Sequence, residues 1–345
     1  MKHVLPGSQA AQKRKRDHLE LALSGEVDFQ HLTSGFERYR FMHQALPELD
    51  LSSVNTGISL LGRSLESPVV ISSMVGGVDE AGALNRNLAM AAQELGIAMG
   101  VGSQRCGIDD SDAAQSYAVR DVAPDILLFA NLGAVQLNYG YKSEHCRKAI
   151  DMIGADALIL HLNPLQEALQ PEGNTNFEGL LHKIETVCRT IEVPVFVKEV
   201  GFGISGQVAT KLAEAGVSGI DVAGAGGTSF SRIEVARKRC QLQDDAFSSW
   251  GITTAESLTM VRSAVPGLTV VASGGIRSGV DIAKAIALGA NAVGIGAPLL
   301  RHAQYSASDV VQHLGEIISD LKIAMFCAGC CTIDQLKHAN LLVSG

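Results

Sequence analysis

Aromatic residues make up only 5% of the 345-residue chain, and prolines number only 9. So little proline excludes a collagenous chain or a proline-rich linker. Basic excess is also missing. The formal net charge is -8, so the broad positive field of a nucleic-acid binder is absent. No apolar run reaches the roughly 18 residues that span a bilayer. The opening stretch MKHVLPGSQAAQKRKRDH lacks the apolar core of a secretory leader. These absences point away from membranes and nucleic acid and toward a cytoplasmic protein. The cysteine total is 7, an odd number that argues against a complete disulfide framework. Cys106, Cys146, Cys188 and Cys240 are scattered, while Cys327, Cys330 and Cys331 form a CxxCC cluster. Zinc would need a second ligand pair, and none follows before Gly345, so small apolar packing is the reading there.

What the chain has in quantity is hydrophobic residues, at 46%, and glycine, at 36 positions. That combination excludes disorder and suits an α/β protein with many tight strand–loop–helix junctions. From residue 68 one pattern repeats: a short apolar run, a loop bearing Gly or Asn, then an amphipathic helix. The eight predicted strands lie at 68–74, 97–102, 126–133, 157–163, 195–201, 219–224, 269–275 and 292–296. They are almost continuously apolar, as strands covered on both faces are. Helical patterns fall between them at 84–96, 143–154, 179–191, 207–216, 254–265 and 280–289, several stopped by Gly. Eight right-handed βα crossovers predict a (β/α)8 TIM barrel over 68–345. Residues 1–67 read as an N-terminal extension with a short helix and a hairpin, and 225–251 as a long loop after strand six.

The chemistry of such a barrel sits at the C-terminal strand ends, with phosphate commonly held after strands seven and eight. Here those ends read SGGIRSG at 273–279 and GIGAP at 294–298, suited to close backbone approach by an anion. Polar residues mark the other ends: Ser73 and Met74, Ser103 and Gln104, Asn131, His161 and Asn163, Lys198 and Glu199, and Thr228. Lys198 requires an anionic partner, either a ligand or a structural mate such as Glu199 or Asp221. The densest cluster is HLNPLQE, with His161, Asn163, Gln166 and Glu167. A carboxylate there suits Mg2+ completed by waters and phosphates; a loop hydrogen-bond network is the alternative. The basic run Lys13 to Arg16 reads equally as a solvated tail or a nucleic-acid arm.

Taken together, HLNPLQEALQPEGNTNF, VPVFVKEVGFGIS, GAGGTSFSRIE, SGGIRSG and the N-terminal Arg14-Lys15-x-x-His18 resemble type 2, FMN-dependent isopentenyl-diphosphate delta-isomerases. The resemblance runs from about Lys13 to Leu336. It implies a homo-oligomer, tetramer or octamer, that interconverts isopentenyl and dimethylallyl diphosphates with reduced FMN, Mg2+ and NADPH as flavin reductant. It places Ser73, Met74, Val75, Ser103, Asn131, Lys198 and Thr228 around FMN. Gly275, Ile276, Arg277, Gly296 and Ala297 would hold the FMN phosphate. Arg14, Lys15, His18, His161 and Asn163 would bind the substrate diphosphate, with Gln166 facing the alkene and Glu167 on Mg2+. Val75 departs from the pattern, since relatives usually carry Thr there. The rival is a flavin-barrel oxidoreductase of the 2-hydroxy-acid oxidase or dihydroorotate dehydrogenase type. It shares the phosphate loops, but the former should pair a His base with arginines, and none surrounds His302.

Overall fold

Eight parallel strands close on themselves in sequence order in the computed structural model, which describes residues 7–239 and 246–343. They are β1 (Val69–Ile71), β2 (Ala98–Gly100), β3 (Leu128–Gly133), β4 (Ala157–Leu162), β5 (Val195–Glu199), β6 (Gly219–Asp221), β7 (Thr269–Ser273) and β8 (Ala292–Ile295). Each pairs with its neighbours in the chain, and β8 pairs with β1 through Gly294 and Val70. The expected (β/α)8 barrel is thus the observed one. The continuous apolar character of the strands has its cause here, because helices cover one face and the barrel interior the other. Ile71, Leu128, Leu158, Val197, Ile220 and Val293 face the helices and are buried there.

Side chains two residues apart share the interior. Val70, Phe129, Ile159, Phe196 and Val271 form an apolar inner layer. The hairpin expected near the N-terminus pairs Ile58–Leu60 with Arg63–Leu65 and contributes Leu60 and Leu65 to that layer. It plugs the end of the barrel opposite the site. Its turn residues Leu61 and Gly62 have φ of 51° and 77°, the left-handed pair of a two-residue hairpin turn. One step further along each strand the same parity delivers polar side chains. Asn131, His161, Lys198, Asp221 and Ser273 each stand two residues beyond a member of the inner layer or of its register.

Two sequence expectations need correction, and one strand pair was not expected. The N-terminal helix is not short: it runs Gly7–Ser24. Its first part lacks the apolar spacing that reveals a helix. The insertion after β6 is not simply a loop. It contains the helix Phe230–Arg239, which packs on the N-terminal helix and on Pro164–Leu169. Residues 240–245, and Cys240 with them, lie outside the described residues. Finally, Tyr39–Phe41 pairs antiparallel with Leu341–Val343, tying the extension to the end of the chain. In the C-terminal cysteine cluster Cys330 is buried in the core, and Cys331 Sγ donates to Ser53 O at 3.1 Å.

Candidate active site

A cavity of ≈ 400 Å³ opens at the C-terminal ends of the strands. Its floor is the polar layer just described. His161 Nδ1 lies 2.8 Å from Asn131 Oδ1. Burial, reinforced by Lys15 and Lys198, pulls His161 down to about 3, so the imidazole is neutral. Opposite an amide oxygen, Nδ1 is the nitrogen that carries the proton. Lys198 Nζ donates to Glu199 O at 2.7 Å and stands 3.9 Å from Asp221 Oδ2. Asp221 also accepts from Ser273 Oγ at 2.6 Å. Glu199 turns away, and its Oε2 accepts from the backbone N–H groups of Val200, Gly201 and Phe202 at 2.7, 2.8 and 2.6 Å. Lys198 therefore has a partner at the edge of ion-pair range and donors left for a ligand.

The cradle at β7 and β8 is built from backbone. Gly274 and Gly275 have φ of 108° and 72°, a region that favours glycine. A Cβ on Gly275 would stand 2.4 Å from Gly226 O, and one on Gly274 2.1 Å from Gly224 O. The loops after β6 and β7 thus interlock. The nine-residue helix Gly279–Ala287 follows, N-capped by Ser278, whose Oγ accepts from Asp281 N. Peptide N–H groups aimed outward from such a turn suit a phosphate. Ser72 Oγ and Ser73 Oγ are buried with no hydrogen-bond partner beside this cradle. Both the glycine cradle and the two orphaned hydroxyls fit a flavin nucleotide. Arg277 is half exposed and pairs with Asp28, an acidic residue of the N-terminal extension that also accepts from Thr228 Oγ1 at 3.2 Å.

The opposite wall is formed by the end of β4, the N-terminal helix and the helix Phe230–Arg239. Asn163 Nδ2 donates to Gln166 Oε1 at 3.1 Å and to Glu167 Oε1 at 3.0 Å. Glu167 Oε2 accepts from Asn174 N at 2.6 Å. The loop network weighed as the alternative is therefore present. It leaves Asn163 Oδ1 buried and without a partner. Gln166 Nε2 donates to Glu234 Oε1 at 3.2 Å, and His18 Nε2 lies 2.8 Å from the same oxygen. Burial pushes the Glu234 carboxyl up, but His18 and Arg237 outweigh it and hold it below the usual carboxylate value. Burial lowers His18 as well, and against a carboxylate oxygen its ring nitrogen is the donor. Lys15 Nζ donates to Ser103 O at 3.2 Å. Burial, with Arg14 and Arg105 nearby, brings Lys15 down to about 8.

Every residue to which the resemblance gives a role lines this cavity: Arg14, Lys15 and His18 on the helix, and the strand-end residues from Ser73 to Ala297. Gln104 and Glu199, also expected at the mouth, do not: Gln104 Nε2 donates to Ala149 O and its Oε1 accepts from Asn131 N, and Glu199 is bound to backbone N–H groups. The Lys13–Arg16 run is thus part of a helix that carries two of its cations to the mouth. Sequence reasoning missed Ser72, Asp28, Glu234 and Arg237. The one available signal for the last two was an acid–base pair three residues apart, at helical spacing, inside SRIEVARKR.

The comparisons bear on this geometry. A family model described as FMN-dependent dehydrogenase matches residues 8–121 and 163–343. The isopentenyl-diphosphate delta-isomerase of Nostoc sp. (strain PCC 7120) is 49% identical over 339 residues, 97% of each chain. That of Synechocystis sp. is 52% identical over 331 residues, 95% of each chain. The chain belongs to the type 2, FMN-dependent isopentenyl-diphosphate delta-isomerase family. A solved mandelate oxidase structure is 21% identical, with a TM-score of 0.67 over 99% of this chain and 100% of that one. That likeness shows the shared barrel alone. This chain and the mandelate oxidase thus have one scaffold in common, and function has to be read from the site.

Proposed function

We propose that this chain interconverts isopentenyl and dimethylallyl diphosphates, with FMN at the glycine cradle and the substrate diphosphate under the N-terminal helix. The observation that carries the reading is that one cavity is lined both by the Gly274–Gly275 turn and by Arg14 and Lys15, which supports two anion subsites. A cavity of ≈ 400 Å³ lies within the ordinary range for small-molecule sites. Near-full-length identity to relatives of that name supports the same reaction.

Reduced FMN, when bound, would supply the acid–base group for the carbon protons, with NADPH as its reductant. The chain's own residues do the rest. Arg14 and Lys15 bind the diphosphate as charge-assisted donors. Neutral His161 and the Asn163 amide flank it. Gln166 is held by two hydrogen bonds of fixed direction, so its amide presents one orientation to the alkene. The covering helices would shield a carbocation-like centre from water. For Mg2+, the Glu167 carboxylate is the hard donor; its oxygens already accept from Asn163 Nδ2 and Asn174 N, so a cation would use their remaining lone pairs. Among the described residues no group of three or more His, Cys, Asp or Glu is arranged to hold a metal ion, so substrate phosphate and water would complete the shell. Among the same residues no helix is long and apolar enough to cross a membrane. A cytoplasmic location and a homo-tetrameric or octameric assembly belong to this proposal too.

The direct test is deuterium incorporation from heavy water into isopentenyl diphosphate, with FMN, reductant and Mg2+ omitted in turn. Full turnover without flavin would sink the reading. Two further outcomes are expected. Lys15 is charged below about 8 and neutral above it. kcat/KM for the diphosphate should therefore fall as pH rises through that value, and Lys15→Arg should remove the fall, because a guanidinium stays charged. In Val75→Thr, a restored hydroxyl that bonds the flavin should tighten FMN by about 2- to 10-fold, the equivalent of roughly 0.5–1.5 kcal/mol, as read by flavin fluorescence titration.

A further inference from the structure

One arginine outside the cradle joins three segments of the lid. Arg237 is only 12% exposed. Its Nη1 pairs with Glu234 on its own helix. Its Nη2 donates to Glu172 Oε1 at 3.0 Å, in the loop after β4. Its Nε donates to Asp17 Oδ2 at 3.4 Å, on the N-terminal helix. None of these segments belongs to the barrel wall. Three carboxylates brought to one point repel unless a cation lies between them. A guanidinium meets them with donors in a rigid planar fork, so one side chain fixes the relative positions of all three segments.

We propose that Arg237 is a positioning residue that latches the N-terminal helix and the β4 loop over the cavity and so holds Arg14, Lys15 and His18 at the diphosphate subsite. Each arm has its own consequence. The Asp17 arm lies between Lys15 and His18 in the helix and sets the turn that presents both. The Glu172 arm holds the loop that continues from Gln166 and Glu167. The Glu234 arm orients the carboxylate shared by His18 and Gln166. The helix has other ties, from Lys15 to Ser103 O and from Arg16 to Glu80, but the second is exposed on both sides. An exposed pair of that kind contributes little. The kinetic part of the latch rests on the isomerase reading; the structural part does not.

The test uses the full-length, FMN-loaded protein as wild type, Asp17→Asn, Glu172→Gln, Arg237→Lys, Arg237→Gln and the double variant Asp17→Asn with Arg237→Gln. Trypsin cleavage within residues 13–16, which supply four basic sites, is timed without substrate. Cleavage should run about tenfold faster in Arg237→Gln, since it reports the open population of the helix. Arg237→Lys should fall between the two, and FMN occupancy should stay at the wild-type level. KM for isopentenyl diphosphate should rise by about tenfold in Asp17→Asn with kcat nearly unchanged, and the double variant should be no worse in KM than Arg237→Gln alone. Wild-type cleavage rates in Arg237→Gln and Asp17→Asn would overturn the latch, and so would effects that multiply in full. If Arg237→Gln does not fold, Asp17→Asn and Glu172→Gln decide alone, and unchanged cleavage in both overturns it. Wild-type protein that fails to turn over isopentenyl diphosphate would instead refute the isomerase reading, leaving the protease comparison to judge the latch.

Discussion

Glu234→Gln is expected to lower kcat for isopentenyl diphosphate by about 10²-fold while FMN stays bound. The carboxylate is fully buried and faces three donors: His18 Nε2, Gln166 Nε2 and the Arg237 guanidinium. A glutamine of the same shape offers one oxygen and one NH2 group. At least one of the three donors must then face another donor, which leaves a buried polar group unsatisfied. Gln166 is the most exposed to this change in function. Its Nε2 points at Glu234 and its Oε1 at Asn163 Nδ2, so losing the first contact frees the amide to flip. The glycine cradle proposed for FMN lies on the loops after β6 and β7 and has no part in this network. Steady-state kinetics beside a flavin titration separate the two effects. Wild-type kcat in this variant would show that the Gln166 amide needs no fixed orientation.

Gly275→Ala should have the opposite signature, loss of flavin with the lid intact. The residue has φ of 72°, where an L side chain costs roughly 1–2 kcal/mol. Its new Cβ would stand 2.4 Å from Gly226 O and 2.6 Å from Gly226 C, both backbone atoms in a loop that is itself glycine-rich. No side-chain rotation relieves that clash, so the β6 and β7 loops must separate. The N–H groups of the cradle then lose their common aim. FMN affinity should fall by at least about tenfold, with a lower melting temperature in both apo and flavin-loaded protein. A shift of melting temperature without any change in FMN affinity would mean that the phosphate lies elsewhere.

The barrel was legible because two-sided burial writes itself into the sequence as short β-branched runs. The same runs also contain the site, through parity: Phe129 to Asn131, Ile159 to His161 and Phe196 to Lys198 are single steps of two along one inner face. The glycine cradle was legible because Gly274 and Gly275 at the end of β7 answer a local backbone demand. The lid was not. Gln166 and Glu234 are 68 positions apart, and Asp17 and Arg237 are 220. No periodicity connects such partners; only the folded chain brings them together. Asp28 was missed for the same reason. Arg277 read as a free charge for phosphate, yet it is already paired across 249 positions. The resemblance supplied the N-terminal Arg-Lys-x-x-His segment, which composition alone left open between tail and arm.

Two separate anion subsites in one cavity are the central claim, and inorganic pyrophosphate tests them most directly. Its binding to the FMN-loaded protein, measured by calorimetry with Arg14→Ala as comparison, should proceed without displacing the flavin and should weaken by about tenfold in the variant. Binding only to flavin-free protein, in competition with FMN and indifferent to Arg14, would contradict it.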